Sequence, residues 1–211
     1  LAISAYQDYL SAVTPTALDH VRFADLCLLA RDVPRMDEQL SLAQKAGADD
    51  ADYHLLRARL ERLRGDDGAA RIACRHSLQR NPRQGQAWGI AVELARPDDL
   101  PSLRESIAEH LGPGQGSESL SDYDRQLMTY AQADAADRSG DFCEAAQALR
   151  TANDLQREAL HESGQHYQRR QEEDRLARTK QRFPSLPGQT AAGPGSPARL
   201  VFILGMPRSG T

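Results

Sequence analysis

The chain has 211 residues, of which 40% are hydrophobic and only 5% aromatic, with 26 basic against 30 acidic side chains for a formal net charge of −4. So few aromatics suit helices packed through Ala and Leu better than a β-sandwich, and the expected fold is mainly α. The acidic balance leaves no basic footprint, which removes nucleic acid from the expected partners, and no run approaches the roughly 18 apolar residues that a membrane-spanning helix needs.

The opening residues, LAISAYQDYL, contain neither a basic segment nor an apolar signal core, and there is no initiating Met. A targeting segment ahead of Leu1 therefore stays open. Cys27, Cys74 and Cys143 are odd in number and lack C-x-x-C spacing, which points to packing roles in a reducing compartment, with the cytoplasm as the expected location. The six histidines, His20, His54, His76, His110, His161 and His166, show no H-E-x-x-H pattern, so no metal site is expected.

In chain order, a first helix pair is expected over residues 18–48. Leu26, Cys27 and Ala30 lie on its first helix, Pro34 near the turn, and Gln39, Ala43 and Ala46 on the second; this copy looks a few residues short. Residues 51–84 match the 34-residue tetratricopeptide pattern best, with Ala58, Ala70, Cys74 and Ser77 at the close-packing positions, Gly65 at the turn and Pro82 near the end. Small residues there let two antiparallel helices approach, while Leu56, Leu60, Leu63, Ile72 and Leu78 supply the apolar stripe. His54 and Glu61 stand where bulky aromatic residues are usual. A degenerate third copy runs over residues 84–110, with Trp88, Ala91, Val92 and Ala95 on one helix and Leu100, Leu103, Ile107 and Leu111 on the next. Pro97 and Pro101 force the break between them.

Beyond the loop that starts at Gly112, Ser121 marks a helix start and a fourth copy follows, with Ala133, Gly140, Asp141, Ala145, Leu149 and Ala152 at the turn and packing positions. Residues 18–158 are thus expected to form antiparallel pairs stacked in sequence order, with Ala58, Ala70, Cys74, Ala133, Ala145 and Leu149 buried at helix crossings. A polar helix over residues 161–182 comes next. Its cations, Arg169, Arg170, Arg175, Arg178, Lys180 and Arg182, interleave with Glu172, Glu173 and Asp174, the pattern of a solvated face. Residues 184–199, rich in Pro, Gly, Ser and Ala, read as a flexible linker.

The last twelve residues carry the chemistry. Leu200, Val201, Phe202, Ile203 and Leu204 form an unbroken apolar run, the pattern of a parallel strand covered on both faces. Gly205-Met-Pro-Arg-Ser-Gly210-Thr211 then keeps the G-x-x-x-x-G spacing of a phosphate-cradling loop, but places Thr211 where a nucleotide hydrolase requires Lys. The cation is instead Arg208, whose planar guanidinium can grip a phosphate or sulfate oxygen through paired hydrogen bonds. That arrangement suits a metal-free phosphosulfate better than a magnesium triphosphate.

GMPRSGT after an apolar strand resembles the 5′-phosphosulfate-binding loop of sulfotransferases that use 3′-phosphoadenosine 5′-phosphosulfate. With helical repeats ahead of it, the chain resembles the bacterial tetratricopeptide-repeat sulfotransferases; residues 133–157 resemble the last repeat before their enzyme domain. The resemblance implies an all-α solenoid of antiparallel helix pairs over residues 1–158, a polar connecting helix over 159–183, a linker over 184–199, and over 200–211 the first strand and P-loop of an α/β sulfotransferase domain truncated at Thr211. It also implies that Gly205, Pro207, Arg208, Ser209, Gly210 and Thr211 bind 3′-phosphoadenosine 5′-phosphosulfate as co-substrate, without a metal, and that Arg208 stabilises charge on the phosphosulfate. The intact enzyme is expected to sulfate a hydroxyl or amine of a peptide, glycan or small molecule, with a protein partner or the acceptor on the repeat surface, whereas residues 1–211 alone are expected to be catalytically silent. The alternative is a tetratricopeptide-repeat scaffold or binding module without catalysis.

Overall fold

The structure, a computed structural model, describes residues 2–112, 120–164 and 169–182. The expected linker over 184–199, the expected strand over 200–204 and the loop over 205–211 lie outside them. Among the described residues the regular structure is helical and contains no strand. Contacts divide the chain into two units, Leu1–Gln165 and His166–Thr211. The first holds α1 (Ala2–Ala12), α2 (Ala17–Leu29), α3 (Val33–Lys45), α4 (Ala51–Arg64), α5 (Asp67–Arg80), α6 (Gly85–Glu93), α7 (Leu100–Leu111), α8 (Asp122–Arg138) and α9 (Phe142–Glu162), with a short 3₁₀ turn, Pro97–Asp99, before α7. In the second, α10 (Arg169–Arg182) is the described element. The expected polar helix over 161–182 therefore starts differently: residues 161 and 162 close α9, Gly164 turns left-handed just beyond them (φ 71), and residues 165–168 lie outside the described residues.

The helix starts follow from local chemistry. Thr16 caps α2 by accepting a hydrogen bond from the Asp19 amide, while the Asp19 carboxylate accepts one from the Thr16 amide at 2.9 Å, so that two orphan donors are satisfied reciprocally. Asp32, Asp50, Asp66, Ser121 and Asp141 cap α3, α4, α5, α8 and α9 in the same way, each accepting from the amide three residues on.

One turn is used three times. Arg31 (φ 56), Gly65 (φ 80) and Gly140 (φ 80) each take the left-handed conformation immediately before a capping Asp. The amides of Asp32, Asp66 and Asp141 then reach back to the carbonyls of Cys27, Glu61 and Ala136, at 2.9 Å in each case, which closes the end of the preceding helix. The chain folds back on itself at these turns, and α2 with α3, α4 with α5 and α8 with α9 are the most extensive helix pairs.

Arg31 and Gly65 stand 34 positions apart, and burial repeats with the same offset. Ala24, Met36, Leu40 and Ala43 of the first hairpin correspond to Ala58, Ala70, Cys74 and Ser77 of the second, and all eight are at most 1% exposed. The first copy is therefore full length rather than short. Its turn is Arg31-Asp32, Pro34 lies in the first turn of α3, and Ala46 is the exposed C-cap of that helix.

In the fourth hairpin Ala133, Ala145 and Ala152 are buried as expected, but Leu149 is 46% exposed. The equivalent residues of the earlier hairpins face the next helix: Leu40 packs in one cluster with Leu56 and Leu60 of α4, and the Cys74 thiol lies 3.0 Å from the Ala87 carbonyl of α6. Among the described residues of the first unit no helix follows α9, so nothing covers Leu149. Leu63 and Ile72, expected in the apolar stripe of the second hairpin, also face solvent, at 54% and 58% exposure.

The third hairpin departs most. After α6, Arg96 and Pro97 stop the helix, and α7 packs mainly on α8 rather than returning onto α6. Helix α6 lies against α8 instead, at a distance only glycine permits: a Cβ on Gly85 would stand 2.6 Å from the Asp124 carbonyl oxygen. The far end of α6 is held by Arg138 of α8, whose guanidinium donates to the Val92 carbonyl and, at 2.9 Å, to that of Ala95.

Two stability predictions follow from these packing rules. Arg31→Gly relieves a left-handed residue that carries a Cβ, a strain of about 1 to 2 kcal/mol, so it should be neutral to stabilising in a urea melt, while Gly65→Ala should destabilise by a similar amount. Ala70→Leu should cost roughly 1 to 3 kcal/mol by overpacking the α4–α5 crossing. An Ala70→Leu midpoint equal to that of the parent would contradict the packing register.

Candidate functional site

The residues nominated by the sequence, Gly205, Pro207, Arg208, Ser209, Gly210 and Thr211, lie outside the described residues, as does the run over 200–204. The described structure nevertheless builds a polar surface along the first helices of successive hairpins, α4, α6 and α8. Ser77 ties this surface to the helix behind it. Its buried hydroxyl reaches the Ala51 carbonyl at 2.9 Å and the Gln84 side-chain oxygen, and Gln84 Nε2 donates to Asp52 at 2.6 Å. Asp124 of α8 accepts from the Gly85 amide at 2.9 Å, which seats the start of α6 on α8.

Along the same surface Arg59 of α4 donates to Gln86 of α6, and Gln86 Nε2 donates to the Tyr123 hydroxyl at 2.9 Å. Arg62 pairs with Glu93, and the Tyr130 hydroxyl lies 2.7 Å from Asn153 and 2.8 Å from Gln156. Arg59, Glu93, Tyr123, Leu127, Tyr130 and Asp134 line a shallow groove of about 510 Å³ between these helices. It offers hydroxyls, carboxylates and one guanidinium over a small apolar floor, suited to holding a polar extended segment. It contains no nucleophile paired with a base.

Electrostatics mark Asp52 as the strained acid of this surface. Desolvation raises its carboxyl above the ordinary aspartate range, the charges of Asp50, Asp25 and Asp124 add to the rise, and the Gln84 hydrogen bond opposes it. Asp141 moves the other way. The Glu144 amide and then the Arg104 guanidinium, 3.1 Å away, hold its carboxylate below the usual range and tether α7 to the start of α9.

The cysteines and the histidines among the described residues sit as packing and surface residues. Burial pushes the Cys74 thiol up to about 12 and raises that of Cys27 as well, so neither supplies a thiolate near neutrality, while Cys143 is exposed. His54 meets Asp49 at 2.7 Å and stacks edge-on against His76, and His20 lies 2.8 Å from Gln39. Among the described residues no group of three His, Cys, Asp or Glu side chains is placed to hold a metal ion, and no helix is long and apolar enough to cross a membrane.

Sequence reasoning did not single out Arg59, Gln86, Tyr123, Tyr130 or Asp134. The available signal was positional, since Arg59 and Glu93, 34 positions apart, both fall on outward faces of first-position helices. No protein-family model matches the chain, and no curated protein matches it.

Asp52 yields a test with a defined sign. A raised folded-state value means that ionising Asp52 costs more in the folded protein than in the unfolded chain. That penalty is absent below the unfolded aspartate range and complete above the folded value. Asp52→Asn keeps an acceptor for Gln84 and removes the charge, so its melting temperature should exceed the parent's near pH 7 and match it at about pH 3. Loss of stability near neutrality, read by thermal melts at both pH values, would show instead that the carboxylate is favourably held.

Proposed function

We propose that this protein serves sulfuryl transfer from 3′-phosphoadenosine 5′-phosphosulfate to a hydroxyl or amine acceptor, with a tetratricopeptide-like solenoid as its helical part. The observation that carries this reading is the sequence over 200–211: an apolar strand pattern entering G-M-P-R-S-G-T, with Arg208 inside the loop and no Lys ahead of Thr211. The recurring left-handed residue and Asp turn, and the 34-residue offset of the buried positions, support the tetratricopeptide-like part.

On this reading the loop amides and Arg208 neutralise charge on the 5′-phosphosulfate. As the acceptor oxygen or nitrogen forms its bond to sulfur, the bond from sulfur to the phosphate oxygen breaks, and the electron pair leaves with 3′-phosphoadenosine 5′-phosphate. Ser209 and Thr211 place hydroxyls beside the same anion. Gly205 and Gly210 allow the backbone to curl close to it.

A second reading, a binding module without catalysis, is favoured by the groove across α4, α6 and α8 with its exposed hydroxyls and charges. The two readings separate on ligand choice. Calorimetric titration of the intact protein should show binding of 3′-phosphoadenosine 5′-phosphate in preference to magnesium ATP, and Arg208→Ala should weaken it about tenfold or more by removing charge-assisted hydrogen bonds. Binding of magnesium ATP with no response to the adenosine bisphosphate would overturn the sulfotransferase reading.

A further inference from the structure

The departure of α7 from α6 opens a cleft of about 450 Å³ between α5, α6 and α7, away from the polar surface of α4, α6 and α8. Its two walls differ in chemistry. Arg71 and Arg75 project from α5, one helical turn apart, and Ser102, Ser106 and His110 follow one another at the same spacing on α7. The floor is apolar: Leu78, Trp88, Ala91, Ala95 and Leu103 line it.

Trp88 is oriented by its own hydrogen bond, the indole N–H donating to the Pro82 carbonyl at 2.8 Å, and His110 leans over it with ring centroids 5.8 Å apart. His110 Nδ1 lies 2.8 Å from the Ser106 carbonyl, which can only accept, so the ring is fixed with that nitrogen protonated. Aromatic surface is thus held at one end of the cleft, with the indole N–H and the His110 Nδ1–H already satisfied. At the other end Arg71 reaches the Leu94 carbonyl at 3.4 Å.

The charge on the walls is not compensated from within. Arg75 makes no hydrogen bond or ion pair with any described residue, and Arg71 makes only that one contact, to a neutral carbonyl. The cleft's single acid, Asp99, is turned to the Arg96 amide at 3.4 Å. Two guanidiniums with free donors over a fixed aromatic floor complement a negatively charged head on an apolar ring. The volume falls within the range of small-molecule sites, which is too small for a folded partner.

We infer that this cleft binds a small amphipathic organic anion, with its aromatic or alicyclic body on Trp88, Leu78 and Leu103 and its carboxylate or sulfonate-like head on Arg71 and Arg75. The inference stands apart from the proposed sulfuryl transfer, because it uses no residue of the 205–211 loop. It also gives the irregular third hairpin a role, since a helix returning onto α6 in the manner of α3 on α2 would close the space.

Trp88 is the chain's one tryptophan, so its fluorescence reports on the floor directly. The probe pair is anilinonaphthalene sulfonate and N-phenylnaphthylamine, the same ring system with and without the anionic head. Titrated into the whole protein, the sulfonate should quench Trp88 saturably with one-site behaviour and bind at least about tenfold more tightly than the neutral amine. Arg75→Gln, which breaks no hydrogen bond or ion pair with any described residue, should weaken the sulfonate and leave the amine unchanged, and the Arg71→Gln/Arg75→Gln pair should abolish the discrimination. Arg157→Gln, an exposed cation on α9, should have no effect. Equal affinity for the two probes, sulfonate binding by Arg75→Gln as tight as the parent's, equal weakening by Arg157→Gln, or no saturable quenching would each overturn the inference.

Discussion

Close approach of helix backbones is the constraint on which the rest of this structure depends. Ala24 and Ala58 are wholly buried at equivalent crossings, Ala133 is nearly so, and the Cys74 sulfur sits 3.0 Å from the Ala87 carbonyl. Side chains this small leave no space between paired helices, so the larger apolar residues must find cover elsewhere. They find it on the next hairpin. Phe23, Leu40, Leu56 and Leu60 share one cluster across the first and second hairpins, and Leu55, Ala58, Cys74, Ala87 and Ile90 form another across the second and third. A single hairpin cannot bury its own stripe, and stability accrues through neighbours.

The third hairpin shows what happens when that rule is relaxed at one point. Helix α6 is only nine residues long, and the Arg96-Pro97 stop turns the chain away before it can lie back along α6. Its apolar face is covered instead by α8, through Gly85 and the cluster of Trp88, Val92, Met128 and Ala131, while α7 contributes Leu100 and Ile107 to the same cluster. Two arginines secure the short helix: Arg138 binds the Val92 and Ala95 carbonyls, and Arg71 reaches Leu94. These contacts satisfy the orphan carbonyls of a helix that has no glycine at its end. The consequence is an open cleft beside Trp88 rather than a closed helix pair.

Much of this was legible in the sequence, and the failures have physical causes. Gly65 and Gly140 announce their turns because glycine tolerates the left-handed conformation, whereas Arg31 adopts the same conformation with no signal in its side chain. Missing that turn is what made the first copy look short. Leu149 is exposed where the pattern expects burial, because burial at its position is conferred by a following hairpin, which a periodic pattern assumes but does not contain. The proline stop after α6 was correctly placed, but a stop reads the same whether the next helix returns or departs. The groove residues Tyr123, Tyr130 and Asp134 carried no periodic signal, because outward polar positions are where helix patterns constrain composition least.

The electrostatic characters of these regions assign them different ligands. Along the polar surface of α4 to α8 the Asp52 carboxyl is raised first by desolvation and then by the charges of Asp50, Asp25 and Asp124, while Arg59 donates to the neutral Gln86 amide and Arg62 pairs with Glu93. Arg59 keeps its charge there, but Arg62 is offset by Glu93 and Asp134 adds a carboxylate, so an anion gains little. A segment offering amines or hydroxyls gains more, from Tyr123, Asp134 and the carboxylates. On the proposed reading this is the character of a sulfuryl acceptor, while Arg208 suits the anionic donor. The guanidiniums of Arg71 and Arg75 belong to neither role, which is why their cleft calls for an anion of its own.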